Sequence, residues 1–149
     1  MANGLRRVLL VEDSPHDIEM TLDALAEYRI SNLTDIARDG KEALDYLYRR
    51  GRFASRPEGN PVVILLDIKL PKIDGIEVLR IIRSDELLRL IPVVILSSSR
   101  EEKDLASGYE LGANAYVVKP VDFHGFVEAV KTSGLFWAIF NEPPPRSLA

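Results

Sequence analysis

Four short runs of apolar residues rich in valine and isoleucine punctuate the chain: "RVLLVED" from Arg7, "PVVILLD" to Asp67, "PVVILSS" to Ser98 and "AYVVKP" to Pro120. None alternates strictly between apolar and polar positions. Continuous runs of this length suit strands buried on both faces. "NLTDIA" is a weaker fifth strand. Between these runs the period changes to that of helices. After Asp13, Ser14 is placed to cap a helix and Pro15 to occupy its first position. Ile18, Leu22, Leu25 and Ala26 would then share one face. "RDGKEALDYLYRR" repeats the pattern with Asp39 as cap and Ala43, Leu44 and Leu47 inward. "KIDGIEVLRIIRS" does so with Asp74 as cap and Ile76, Leu79 and Ile82 on successive turns. "REEKDLASGYELGAN" begins acidic, as a helix N-terminus favours, and stops at Gly112. A last helix starts near Val121 and runs towards Phe140. The order is β-α five times over, which predicts an α/β domain with a parallel sheet covered by helices on both faces and joined by right-handed crossovers.

Composition changes this picture little. The 149 residues are 46% hydrophobic and 28% charged, enough for one domain with a full core. Cysteine is absent, which excludes disulfides and thiolate chemistry and fits a cytoplasmic protein. The apolar run near the N-terminus is too short for a signal peptide and ends on two acids. No segment is long and apolar enough to span a membrane. A net charge of −4 argues against a nucleic-acid-binding surface.

The polar residues that end the strands carry the chemistry. In a parallel sheet all carboxyl ends lie on one edge, where open α/β sheets bind ligands. Glu12, Asp13, Asp67, Ser97 and Lys119 all fall there. Three crowded carboxylates would repel one another unless a cation joined them. All-oxygen donors, with neither cysteine nor a suitable pair among His16 and His124, select Mg²⁺ or Mn²⁺. Such an ion leaves Asp67 able to attack phosphorus. Lys119 and Ser97 would then face the phosphoryl oxygens, which suits phosphoryl transfer.

The motifs "VED", "LLDIKLPKIDG", "VVILSSS" and "YVVKP" resemble those of response-regulator receiver domains, the phospho-acceptor modules of two-component signalling. The resemblance covers roughly residues 6 to 135. It implies the flavodoxin-like (CheY-like) five-stranded sheet in the order 2-1-3-4-5. It implies Asp67 as phospho-acceptor, with Asp13, Asp67 and the Lys69 backbone carbonyl as metal ligands and Glu12 holding the metal through water. Ser97, Ser98 and Lys119 would contact the phosphoryl group, and Lys119-Pro120 would be a cis peptide. Phosphorylation would draw in Ser97, turn Tyr116 inward and reshape the surface of the fourth helix, fifth strand and fifth helix. Such a protein is no turnover enzyme, although it assists its own phosphotransfer and dephosphorylation. Lys69 and Ser99 stand at positions that tune phosphoryl lifetime in this family.

Two features narrow the resemblance. "YLYRRGRFASRPEGNP" is a long, basic connection before the third strand. Leu135, Phe136, Trp137, Ile139 and Phe140 are nearly consecutive, so they cannot all face one core, and a partner is the simplest cover. Together they resemble the single-domain regulators paired with bacterial and cyanobacterial phytochromes. That implies a sensor histidine kinase, a phytochrome, as phosphodonor, and a homodimer with Leu135, Phe136, Trp137 and Phe140 as interface candidates. Residues 1–141 read as one receiver domain with an extended last helix, and 142–149 as a flexible Pro-rich tail.

Rival chemistries fit poorly. "VEDSP" would repel the phosphate of a flavin carrier. Lys69 stands where a dehalogenase-type phosphatase needs a second aspartate, and no P-loop motif is present. A phosphorelay shuttle and a non-phosphorylated pseudo-receiver binding module remain as alternatives.

Overall fold

The computed structural model describes residues 7–27, 33–98 and 112–140. Five parallel strands form one sheet: β1 (Val8–Val11), β2 (Thr34–Ala37), β3 (Val63–Asp67), β4 (Val93–Ser97) and β5 (Ala115–Val118), in the order β2-β1-β3-β4-β5. The described α-helices are α1 (Pro15–Ala26), α2 (Gly40–Leu47), α3 (Gly75–Ser84), α4 (Phe123–Thr132) and α5 (Phe136–Phe140), with a 3-10 turn at Gly51–Phe53. Ser99, most of the expected fourth helix and the tail 142–149 lie outside the described residues.

Strand alternation divides the core. Val8, Leu10, Val63, Leu65, Val94, Leu96, Ala115 and Val117 pack on one face with Ile18 and Leu25 of α1 and Phe126 and Val130 of α4. Leu9, Val11, Ile64, Leu66, Val93 and Ile95 pack on the other with Leu44 and Leu47 of α2 and Val78, Leu79 and Ile82 of α3. Both faces are covered, so the central strands β1, β3 and β4 lack polar positions until they reach the edge. Ser14, Asp39, Asp74 and Asp122 cap α1 to α4, each accepting from the backbone N–H three residues on. Such caps are worth about 1 kcal/mol each. Among the described residues, no helix is long and apolar enough to cross a membrane.

Three expectations are corrected. On α1, Ala26 is exposed, and the buried stripe runs through Ile18, Thr21, Ala24 and Leu25. The last helix is not continuous. Gly134 takes φ +81°, the Gly134 N–H donates to Lys131 O (3.1 Å), and the Leu135 N–H donates to Val130 O (3.0 Å). This paired 5→2 and 6→1 closure ends α4, because a left-handed residue cannot continue the helix. The chain then turns back as α5. Leu135, Phe136 and Ile139 enter the chain's own core, and Phe140 packs tilted on Phe136 at 4.6 Å and edge-on to Phe126 at 6.4 Å. Leu135 and Phe136 are therefore not an open partner surface. Trp137 faces outward, at 60% exposure.

The basic connection also finds partners within the chain. Arg50 pairs with Asp45 (2.9 Å) and Arg52 with Glu42 (2.9 Å), both on α2. Arg56 stacks 4.1 Å above the Tyr46 ring, and its Nε donates to Tyr46 O (2.6 Å). These arginines brace α2 and do not form a free basic patch.

Candidate functional site

The parallel register brings the ends of β1, β3, β4 and β5 to one edge. Glu12 follows β1, and its N–H extends the ladder to Ala37 O (3.0 Å). Its side chain is 1% exposed. Asp13 comes next and is exposed. Asp67 ends β3 with its side chain 7% exposed. The loop after it must fold close, because Gly75 N–H donates to Ile68 O at 2.8 Å. A Cβ on Gly75 would lie 2.1 Å from Asp67 O, so only glycine fits there.

Lys119 ties these ends together. Its backbone N–H donates to Ser97 O (2.8 Å), and the Lys119-Pro120 peptide is cis. Its Nζ lies 2.7 Å from Glu12 Oε1, 3.1 Å from Asp17 Oδ2 and 3.2 Å from Asp67 Oδ2. Asp17, in the first turn of α1, was missed by the sequence reading. The signal was available: the Ser14-Pro15 helix start puts Asp17 one turn beyond the Glu12-Asp13 pair.

Burial and the neighbouring Glu12 charge push the Asp67 carboxyl up to about 7, against the opposing pull of Lys119. Burial disfavours the Lys119 cation, but its contacts with Glu12, Asp67 and Asp17 outweigh this and raise its pKa. The cluster thus holds more negative charge than one lysine offsets. Carboxylate oxygens of Glu12, Asp13 and Asp67 lie within 4.8 Å of one another. Glu12 Oε1 is buried and makes no hydrogen bond, its compensation being the charge contact with Lys119. A donor set of clustered hard oxygens, with neither sulfur nor imidazole among them, fits a hard divalent cation. Lys69 lines a shallow groove beside the cluster with Asp13 and Asp74.

Ser97 ends β4, fully buried, while Ser98 is exposed. By strand alternation Ser97 and Tyr116 share the sheet face that α3 covers, whereas Asp67 follows the α1 side. Tyr116 is half-buried against that face. Trp137 and Phe140 are remote in sequence from these residues and take no part in the cluster.

A second concavity, of about 450 Å³, lies at the amino end of the strands, away from the acidic cluster. Asp35 there accepts from Arg7 Nη2 (2.6 Å) and the Tyr46 hydroxyl (2.6 Å). Arg7, Asp35 and Tyr46 satisfy one another there.

A doubly wound parallel sheet with a lysine-bridged carboxylate cluster at its carboxyl edge defines a receiver-type signalling module. The family described as "Response regulator receiver domain" matches residues 8–131, and the chain belongs to it. Response regulator Rcp1 of Synechocystis sp. is 37% identical over 136 residues, covering 91% of each chain. The solved structure of bacteriophytochrome response regulator RtBRR is 58% identical, with a TM-score of 0.85, covering 97% of this chain and 87% of that one. The Mn²⁺-bound form of Rcp1 is 36% identical, with a TM-score of 0.72, covering 94% of this chain and 99% of that one. Close structural neighbours of this chain include bacteriophytochrome response regulators.

Proposed function

We propose that this response regulator accepts a phosphoryl group on Asp67 from a sensor histidine kinase. The observation that supports this reading most is the contact of Lys119 Nζ, 3.2 Å from Asp67, within a cluster that gathers Glu12 and Asp13 as well. Asp67 Oδ attacks phosphorus as the bond to the donor breaks. Lys119 offsets charge on the phosphoryl oxygens, and Ser97 and Ser98 supply donors to them. Glu12, Asp13, Asp67 and the Lys69 carbonyl are the residues that would hold Mg²⁺, or Mn²⁺ in its place. When bound, such an ion supplies positive charge that keeps Asp67 ionised and screens the incoming phosphoryl group.

The buried Ser97 and half-buried Tyr116 share a face, which supports their role as the switch pair. Phosphorylation would reshape the surface of the expected fourth helix, β5 and α4, and the signal would pass by protein contact. The neighbours named for bacteriophytochromes support a phytochrome kinase as donor. Self-association would use the exposed Trp137, within a receiver domain spanning 1–141. The test is intact-protein mass after incubation with acetyl phosphate and Mg²⁺. A metal-dependent adduct lost in Asp67→Asn supports the reading, and transfer from a phytochrome kinase tests the donor.

A further inference from the structure

Among the groups that Lys119 touches, Asp17 alone has no place in the chemistry proposed above. It stands outside the Glu12, Asp13 and Asp67 cluster, on α1, and is 102 residues from Lys119 in sequence. Its backbone N–H is held by Ser14 Oγ (3.2 Å), which fixes the first turn and aims the carboxylate at Lys119 Nζ, 3.1 Å away. Its side chain is 30% exposed, against 14% for Lys119. The contact therefore pulls the ammonium towards the solvent rim of the site.

We infer that Asp17 is a positioning residue that competes with the phosphoryl group for Lys119. This rests on Asp67 being the acceptor. The competition follows from charge and donor number. Lys119 has three N–H donors, and three carboxylates now occupy its surroundings. A phosphoryl group on Asp67 adds oxygens that need the same ammonium. Glu12 and Asp67 are nearly buried and have no solvent to fall back on. Asp17 is the partner with water beside it, so its contact is the cheapest to give up. Until it is given up, it opposes phosphoryl binding in two ways, by holding the cation and by adding negative charge near an anionic donor.

Asp17→Asn keeps the side chain's shape and the Ser14 cap but removes the charge. At saturating Mg²⁺, the acetyl phosphate concentration giving half-maximal phosphorylation rate should fall roughly two- to five-fold, as the loss of a part-exposed ion pair allows. The maximal rate should stay nearly unchanged, and the half-life of the Asp67 phosphate should lengthen by a similar factor. Asp17→Glu should return both towards the starting values. A role in fold alone would move the denaturation midpoint and leave this concentration dependence untouched. If the unaltered protein takes up phosphate but Asp17→Asn behaves identically or reacts more weakly, Asp17 does not compete for Lys119 and the inference is overturned. If the unaltered protein takes up none from acetyl phosphate or from a kinase, it is the acceptor reading that fails.

Discussion

Replacing Asp67 by asparagine should stabilise the metal-free protein, an unusual outcome for a buried polar residue. In the folded chain the Asp67 carboxyl lies at about 7, against an ordinary value of 3.8, because burial and Glu12 both oppose its charge. A carboxyl raised on folding binds its proton more tightly in the folded state. Its contribution is therefore fully present below about pH 4 and is lost as pH rises through about 7. A displacement of that size is equivalent to about 4 kcal/mol before screening. Solvent screening at the rim reduces this to about 2 kcal/mol. Lys119 keeps Glu12 and Asp17 as partners in the variant, so no cation is orphaned. The assay is urea unfolding in EDTA at about pH 5 and about pH 8, with equal m-values required for the comparison. At the higher pH, Asp67→Asn should be more stable by about 2 kcal/mol, and at the lower pH by clearly less. Adding Mg²⁺ should favour the unaltered protein, since a bound ion stabilises the state that holds it. A variant less stable at both pH values, or a difference that ignores pH, would refute the electrostatic reasoning.

Lys119→Met leaves the nearly buried Glu12 without a counter-charge and should cost about 3 kcal/mol near neutral pH without metal, measured by the same unfolding assay. Gly75→Ala places a methyl group 2.1 Å from Asp67 O and should cost about 2 kcal/mol or more, with adduct formation lost before folding is. Phe136→Ala removes a ring that is 2% exposed and should cost about 3 to 4 kcal/mol by thermal or urea unfolding. Trp137→Ala should change monomer stability by less than about 0.5 kcal/mol yet weaken self-association in light scattering, and an unchanged dimer would remove Trp137 from that role.

The strands were legible because a sheet covered on both faces demands uninterrupted apolar runs, and those runs ended on the residues that meet at one edge. Ser14, Asp39 and Asp74 were legible as caps because their side chains act on a backbone three residues away. What failed depended on distance or on backbone shape. The Ser14-Pro15 helix start places Asp17 near the Glu12-Asp13 pair, but its contact with Lys119, 102 residues away, is set by how α1 seats against the sheet edge. The apolar tail looked too wide for one core because a straight helix was assumed. Gly134 breaks that helix and lets Leu135, Phe136 and Ile139 turn inward separately. The long connection was legible only as long and basic; the acidic partners of its arginines lie on α2, across a turn that composition does not reveal.

Intact-protein mass spectrometry after exposure to acetyl phosphate, run with Mg²⁺, with EDTA and on Asp67→Asn, tests the acceptor role most directly. One phosphate adduct with Mg²⁺, absent in EDTA and in the variant, is the expected result. An adduct that persists in folded Asp67→Asn would place the phosphate on another residue and contradict the role given to the Lys119-bridged cluster.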